Sequence, residues 1–123
     1  MRTVPVISIV DDDPSVRRAL RRLLQAAGYR VEVFASAGDF LAAVPVDRTT
    51  CLVLDIRLDG MTGFDLQARL AADQMAIPII FITAHDDVAT RDRVQEIGAA
   101  AYLPKPFDPA ALLAAVRNAA GPA

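Results

Sequence analysis

Five runs rich in valine and isoleucine alternate with five segments of helical period, and this alternation constrains the chain more than any other feature. It is the pattern of a βαβ protein, in which each crossover helix returns the chain to start another parallel strand. The expected strands are Val4 to Val10, Val31 to Phe34, Cys51 to Leu54, Ile79 to Thr83 and Ala100 to Leu103. The first, third and fourth are almost wholly apolar, as central strands covered on both faces should be, whereas the second is mixed and suits an edge.

Helix starts are marked chemically. Asp13 before Pro14 and Asp108 before Pro109 each combine an N-cap with proline at the first helical position. Ser36 with Asp39 and Thr62 with Asp65 have capping-box spacing, and Asp86 or Asp87 caps the fourth helix. Gly28 and Gly98 fall where helices one and four should end, and Pro45 closes helix two. With 123 residues there is room for one domain, expected over residues 1–120, with 121–123 as a tail or the start of a linker. The expected fold is α/β, a flavodoxin-like (βα)5 arrangement with a five-stranded parallel sheet in the order 2-1-3-4-5 and helices on both faces. In that order, ligands bind beyond the carboxyl ends of strands one and three.

Charge and cysteine content narrow the function. A formal charge of −2 lacks the basic footprint of a nucleic-acid binder, so no direct nucleic-acid contact is expected. One cysteine, Cys51, and no basic leader before an apolar stretch point to a cytoplasmic protein. No apolar run approaches the roughly 20 residues of a membrane span, so no membrane association is expected.

Chemistry concentrates at strand ends. Asp11, Asp12 and Asp13 follow the first strand and Asp55 ends the third. Asp13 is accounted for as a cap, but Asp11, Asp12 and Asp55 have no such duty. Carboxylates about 5 Å apart repel by roughly 3 kcal/mol per pair at an effective dielectric near 20, which calls for a bound cation. All-oxygen ligands open to water favour Mg2+. Thr83 places a hydroxyl at the end of strand four, and Ala84 leaves space beside it. Lys105 is the only lysine, and Pro104 and Pro106 stiffen the backbone on both sides of it. Metal, carboxylate nucleophile, hydroxyl and ammonium together form a set for phosphoryl transfer to Asp55.

The string Val10-Asp11-Asp12-Asp13, the apolar strand ending in Asp55, the pair Thr83-Ala84 and the run Pro104-Lys105-Pro106-Phe107 resemble the receiver domains of two-component response regulators. The resemblance covers the whole chain. It implies a phosphorelay module that is not an enzyme in its own right, in which Asp55 accepts a phosphoryl group from a sensor histidine kinase. It also implies Mg2+ held by Asp12, Asp55 and the backbone carbonyl of Arg57, with Asp11 acting mostly through a metal-bound water. By the same resemblance Thr83 hydrogen-bonds a phosphoryl oxygen and Lys105 pairs with the phosphoryl group. Tyr102 matches an aromatic position that turns inward as Thr83 is drawn to the phosphate. Arg57 and His85 occupy positions that influence phosphoryl lifetime, and the Lys105-Pro106 bond matches one that is often cis.

The runs around Asp55 and Thr83 look most like the nitrogen-fixation regulator subfamily, in which a helix-turn-helix DNA-binding domain usually follows. The resemblance further implies a monomer that dimerises on phosphorylation, through a face where Val88, Arg91, Val94, Ala101 and Leu103 are candidates. It places kinase docking near helix one, which carries Arg17, Arg18, Arg21 and Arg22. One departure is Leu58-Asp59, where many receivers have Met-Pro. Two rival readings are an aspartyl-phosphate phosphatase, which needs a second acid where Arg57 stands, and a receiver-like interaction module that works without phosphorylation.

Overall fold

The computed structural model describes residues 4–43 and 48–123. Five strands, β1 (Val6–Val10), β2 (Arg30–Phe34), β3 (Cys51–Asp55), β4 (Ile79–Thr83) and β5 (Ala101–Pro104), alternate with five helices. The helices are α1 (Pro14–Ala26), α2 (Ala37–Ala43), α3 (Gly63–Ala72), α4 (Val88–Ile97) and α5 (Pro109–Ala120). All strands pair in parallel in the order β2-β1-β3-β4-β5, as the alternation predicts.

The strand bounds differ slightly from expectation. β1 begins at Val6 rather than Val4, because Pro5 has no N–H for the ladder and only its carbonyl is used, by Arg30. β2 starts one residue early at Arg30, β3 runs on to Asp55, and β5 covers Ala101–Pro104.

Period-two alternation divides the sheet residues between two cores. Ile7, Ile9, Cys51, Val53, Ile80 and Ile82 pack with Leu20 and Leu24 of α1 and Leu112 and Val116 of α5. Val10, Leu52, Leu54 and Phe81 pack on the other face with Phe40, Leu66, Leu70 and Val94. Ser8 is the polar exception in β1, and its hydroxyl is satisfied by Thr49 at 2.8 Å.

Asp13 accepts from the Ser15 N–H, Asp108 from the Ala110 N–H, and Thr62 and Asp65 form a reciprocal capping box. Ser36 accepts from the Asp39 N–H at 3.0 Å. Asp87, not Asp86, caps α4, through the Thr90 N–H at 2.7 Å. The α4 C-cap is Gly98 at φ +76°, whereas α1 is capped by Ala27 with Gly28 one residue beyond. The expected role of Pro45 lies outside the described residues.

Two surface expectations change. Val94 is buried in the core beneath α4, because the helix turns that position toward Phe81 and Leu54 and leaves Val88 outside. Arg17 is half-buried, and its guanidinium donates to the Asp11 carbonyl at 2.8 Å. The exposed basic face of α1 is therefore Arg18, Arg21 and Arg22.

Candidate functional site

A parallel sheet sends all its carboxyl ends to one rim, so the residues at the ends of β1, β3, β4 and β5 meet there. Asp11 continues the alternation of Ile7 and Ile9, Asp55 that of Cys51 and Val53, and Lys105 that of Ala101 and Leu103. These three side chains accordingly share the α1/α5 side of the sheet.

Asp11 is fully buried and Asp55 is 5% exposed. The Lys105 Nζ donates to Asp11 Oδ2 at 2.7 Å and to Asp55 Oδ2 at 3.5 Å. The other oxygens are held by backbone: Asp11 Oδ1 accepts from the Asp13 N–H at 2.9 Å, and Asp55 Oδ1 from the Arg57 N–H at 3.2 Å. Asp12 is exposed, yet Asp11, Asp12 and Asp55 each offer an oxygen within 4.8 Å of the others. Among the described residues this is the one group of acids, cysteine and histidine with metal-ligand spacing. The set is all oxygen, with one member open to solvent, and it fits a hard divalent cation that keeps part of its water shell.

Burial pushes the Asp55 carboxyl up to about 6, and the neighbouring Asp11 charge adds to the rise, while Lys105 and the Arg57 N–H oppose it. Burial alone would lower the Lys105 ammonium, but its hydrogen bond and charge pairing with Asp11, and then Asp55, outweigh that and raise it. The ammonium thus supplies positive charge to both buried carboxylates.

Thr83 is 1% exposed, and its Oγ1 accepts from the His85 N–H at 3.0 Å. Ala84 and His85 are exposed beside it. Tyr102 is half-buried, and its hydroxyl donates to Asp86 Oδ1 at 2.9 Å, so its ring is turned to the outer surface. Arg57 is exposed, while Leu58 behind it is buried and Asp59 is exposed. The Lys105-Pro106 peptide is cis.

Three contributors escape the sequence reading. Arg17 ties α1 to the end of β1 through the Asp11 carbonyl. Asp86 serves Tyr102 and Arg91 instead of a helix end. Gly63 lies so close to the Asp55 backbone that a Cβ would overlap the Asp55 carbonyl oxygen and stand 2.9 Å from the Ile56 Cα. A signal for it was available, since glycine directly after the Thr62 cap is a poor helix former that only a space requirement explains.

One cavity borders the site and a second lies at the far end of the sheet. An apolar groove of about 530 Å³ beside Lys105 is walled by Val16, Leu20, Leu23, Pro106 and Phe107. The larger, about 580 Å³ around Met75, Ile77 and Ile97, opens at the opposite end of β4 and has no titratable lining.

Comparisons with known proteins agree with this geometry. Residues 7–117 match the response regulator receiver domain family. The chain is 44% identical to Nodulation protein W of Bradyrhizobium diazoefficiens over 93% of its length and 50% of that protein's. It is 41% identical to the transcriptional regulatory protein FixJ of Azorhizobium caulinodans, over 94% of this chain and 54% of that one. The chain thus spans about half the length of the curated relatives it matches. The crystal structure of FixJ-N superposes with a TM-score of 0.86 at 34% identity, covering 97% of this chain and 95% of that one. Fold, strand-end residues and relatives converge: the chain belongs to the receiver domain family of two-component response regulators.

Proposed function

We propose that this receiver takes a phosphoryl group onto Asp55 from the phosphohistidine of a sensor histidine kinase. The carrying observation is the clustering of Asp55 with Asp11, Asp12, Lys105 and Thr83 on one rim. An Asp55 oxygen attacks phosphorus, the P–O bond forms as the P–N bond breaks, and the imidazole leaves with the bonding pair and takes up a proton. Asp55, with its carboxyl raised to about 6, is ionised at neutral pH and more basic than an ordinary aspartate. Lys105 turns from the carboxylates to the phosphoryl oxygens, and Thr83 donates its hydroxyl to one of them.

Asp11, Asp12, Asp55 and the Arg57 carbonyl would hold Mg2+, which supplies neutralisation of the charge on the transferring phosphoryl oxygens. Arg57 and His85, exposed at the mouth, govern water access and with it phosphoryl lifetime.

The groove between Val16, Leu23 and Phe107, flanked by the α1 arginines, is the docking surface that we assign to the kinase. Phosphorylation then changes the α4–β5–α5 face, through which monomers pair and an output is controlled. The transcriptional role named for the FixJ relative, of which the chain covers 54%, supports a transcriptional output; a receiver at residues 1–120, a linker from 121, a DNA-binding output domain and a cytoplasmic location complete the same reading.

Intact mass after incubation with acetyl phosphate, with and without Mg2+ and beside Asp55→Asn, tests the reading. One Mg2+-dependent phosphoryl adduct, lost in the variant, is expected. No adduct from any donor, and no binding of beryllofluoride, would reject it in favour of an interaction module that works without phosphorylation.

A further inference from the structure

Register pairs Phe81 with Tyr102 and Thr83 with Pro104, which makes Tyr102 a diagonal neighbour of Thr83 on one face of the sheet. An aromatic ring spans such a diagonal, so it can lie toward Thr83 or turn outward. Here it turns outward. The Tyr102 hydroxyl donates to Asp86 Oδ1 at 2.9 Å, and the same oxygen forms an ion pair with Arg91, whose Nε lies 3.2 Å away. One carboxylate thus ties β5, the β4–α4 loop and α4 together.

Asp86 is free for this because Asp87 caps the helix. The loop is also joined to the site, since the His85 N–H, one residue before Asp86, is held by Thr83 Oγ1 at 3.0 Å. Partial burial of the ring, and then the Asp86 hydrogen bond, push the Tyr102 phenol up to about 12, as expected when a carboxylate holds the phenolic proton.

We propose that Asp86 is a latch that holds Tyr102 outward in the resting protein and opposes its movement toward Thr83. The proposal rests on the phosphoacceptor reading above. The latch contact exists in one arrangement only, so removing it weakens the resting state and shifts the population toward the switched one. A ligand that prefers the switched state then binds more tightly, in proportion to that shift.

The test compares the unmodified protein, Asp86→Ala, Tyr102→Phe and the double variant by beryllofluoride titration in Mg2+. Asp86→Ala, which removes the acceptor, is expected to bind about 3- to 10-fold more tightly, the range for one hydrogen bond to a charged group at a partly exposed position. Asp86→Ala should add nothing in the Tyr102→Phe background. With two tyrosines and no tryptophan, tyrosine fluorescence offers a second readout. Tyr29 donates to the Gly121 carbonyl and gives a steady background, while Tyr102, hydrogen-bonded to the Asp86 carboxylate, should brighten in Asp86→Ala.

Unchanged beryllofluoride affinity in Asp86→Ala, or the same gain without the Tyr102 hydroxyl, overturns the latch and leaves the phosphoacceptor reading intact. Absence of beryllofluoride binding by the unmodified protein removes that reading, and the latch's regulatory role with it, even where the fluorescence change shows the contact itself. Asp86 is exposed, so each variant should keep one cooperative unfolding transition, with its unfolding equilibrium shifted by no more than about the same 3- to 10-fold factor, which excludes misfolding as the cause.

Discussion

Gly63 packs directly against the backbone of Asp55, with the site of a Cβ overlapping the carbonyl oxygen and 3.1 Å from the carbonyl carbon. The Gly63 N–H also donates to the Ile56 carbonyl at 2.9 Å, so the start of α3 braces the segment that carries the phosphoacceptor.

Gly63→Ala must therefore displace the Asp55 backbone. It is expected to cost about 2–3 kcal/mol, the range for overpacking, and to lower the phosphoryl yield at Asp55 several-fold. Gly60→Ala is the contrast: residue 60 has open space around it but φ +76°, so strain of about 1 kcal/mol is expected with the yield retained. Urea unfolding and intact mass measure both variants.

Asp55 itself limits stability when no metal is bound. Its folded carboxyl sits at about 6 against an ordinary 3.8, so the folded state holds that proton more tightly than the unfolded chain. The stabilising contribution is complete below 3.8 and is lost as pH rises through about 6. In EDTA, Asp55→Asn should exceed the unmodified protein by roughly 2–3 kcal/mol at pH 7. The difference should shrink steadily as pH falls from about 6 to about 4, because the aspartate becomes neutral as well. A gap that widens on acidification would contradict this assignment.

Adjacent aspartates should separate cleanly. Asp12 is exposed and belongs to the oxygen cluster, whereas the Asp13 side chain is bound to the Ser15 N–H at 2.8 Å. Asp12→Asn is expected to weaken Mg2+ binding about tenfold or more while changing metal-free stability by no more than about 0.5 kcal/mol. Asp13→Ala should do the reverse, losing about 1 kcal/mol of helix capping and keeping Mg2+ affinity. Calorimetric Mg2+ titration beside thermal unfolding distinguishes the two.

Lys105→Met would leave the fully buried Asp11 without its 2.7 Å partner. An uncompensated buried carboxylate costs about 3 kcal/mol, so the variant should unfold at markedly lower urea in EDTA. Mg2+ should restore much of the loss, because the cation takes over the neutralising role of the ammonium. Failure of Mg2+ to rescue the variant would show that Lys105 acts by packing instead.

Alternating apolar runs, aspartate caps and prolines at helix starts determined the element order, because each is a local requirement of backbone hydrogen bonding. Parallel topology then brought Asp11, Asp55, Thr83 and Lys105 to one rim before any distance was known, since strands of one direction end together. Adjacent residues competing for one role were a different matter. Asp86 and Asp87 are chemically equivalent as caps, and only the path of the loop onto α4 gives the cap to Asp87 and the Tyr102 hydroxyl to Asp86. Arg17 looked like one more solvated arginine until the packing of α1 on β1 brought it to the Asp11 carbonyl. The preference of Lys105 for Asp11 over Asp55 and the bare contact at Gly63 depend on separations between strand ends and a helix start. Local sequence set which chemical groups reach the rim; the packing of helices on the twisted sheet decided which of them touch.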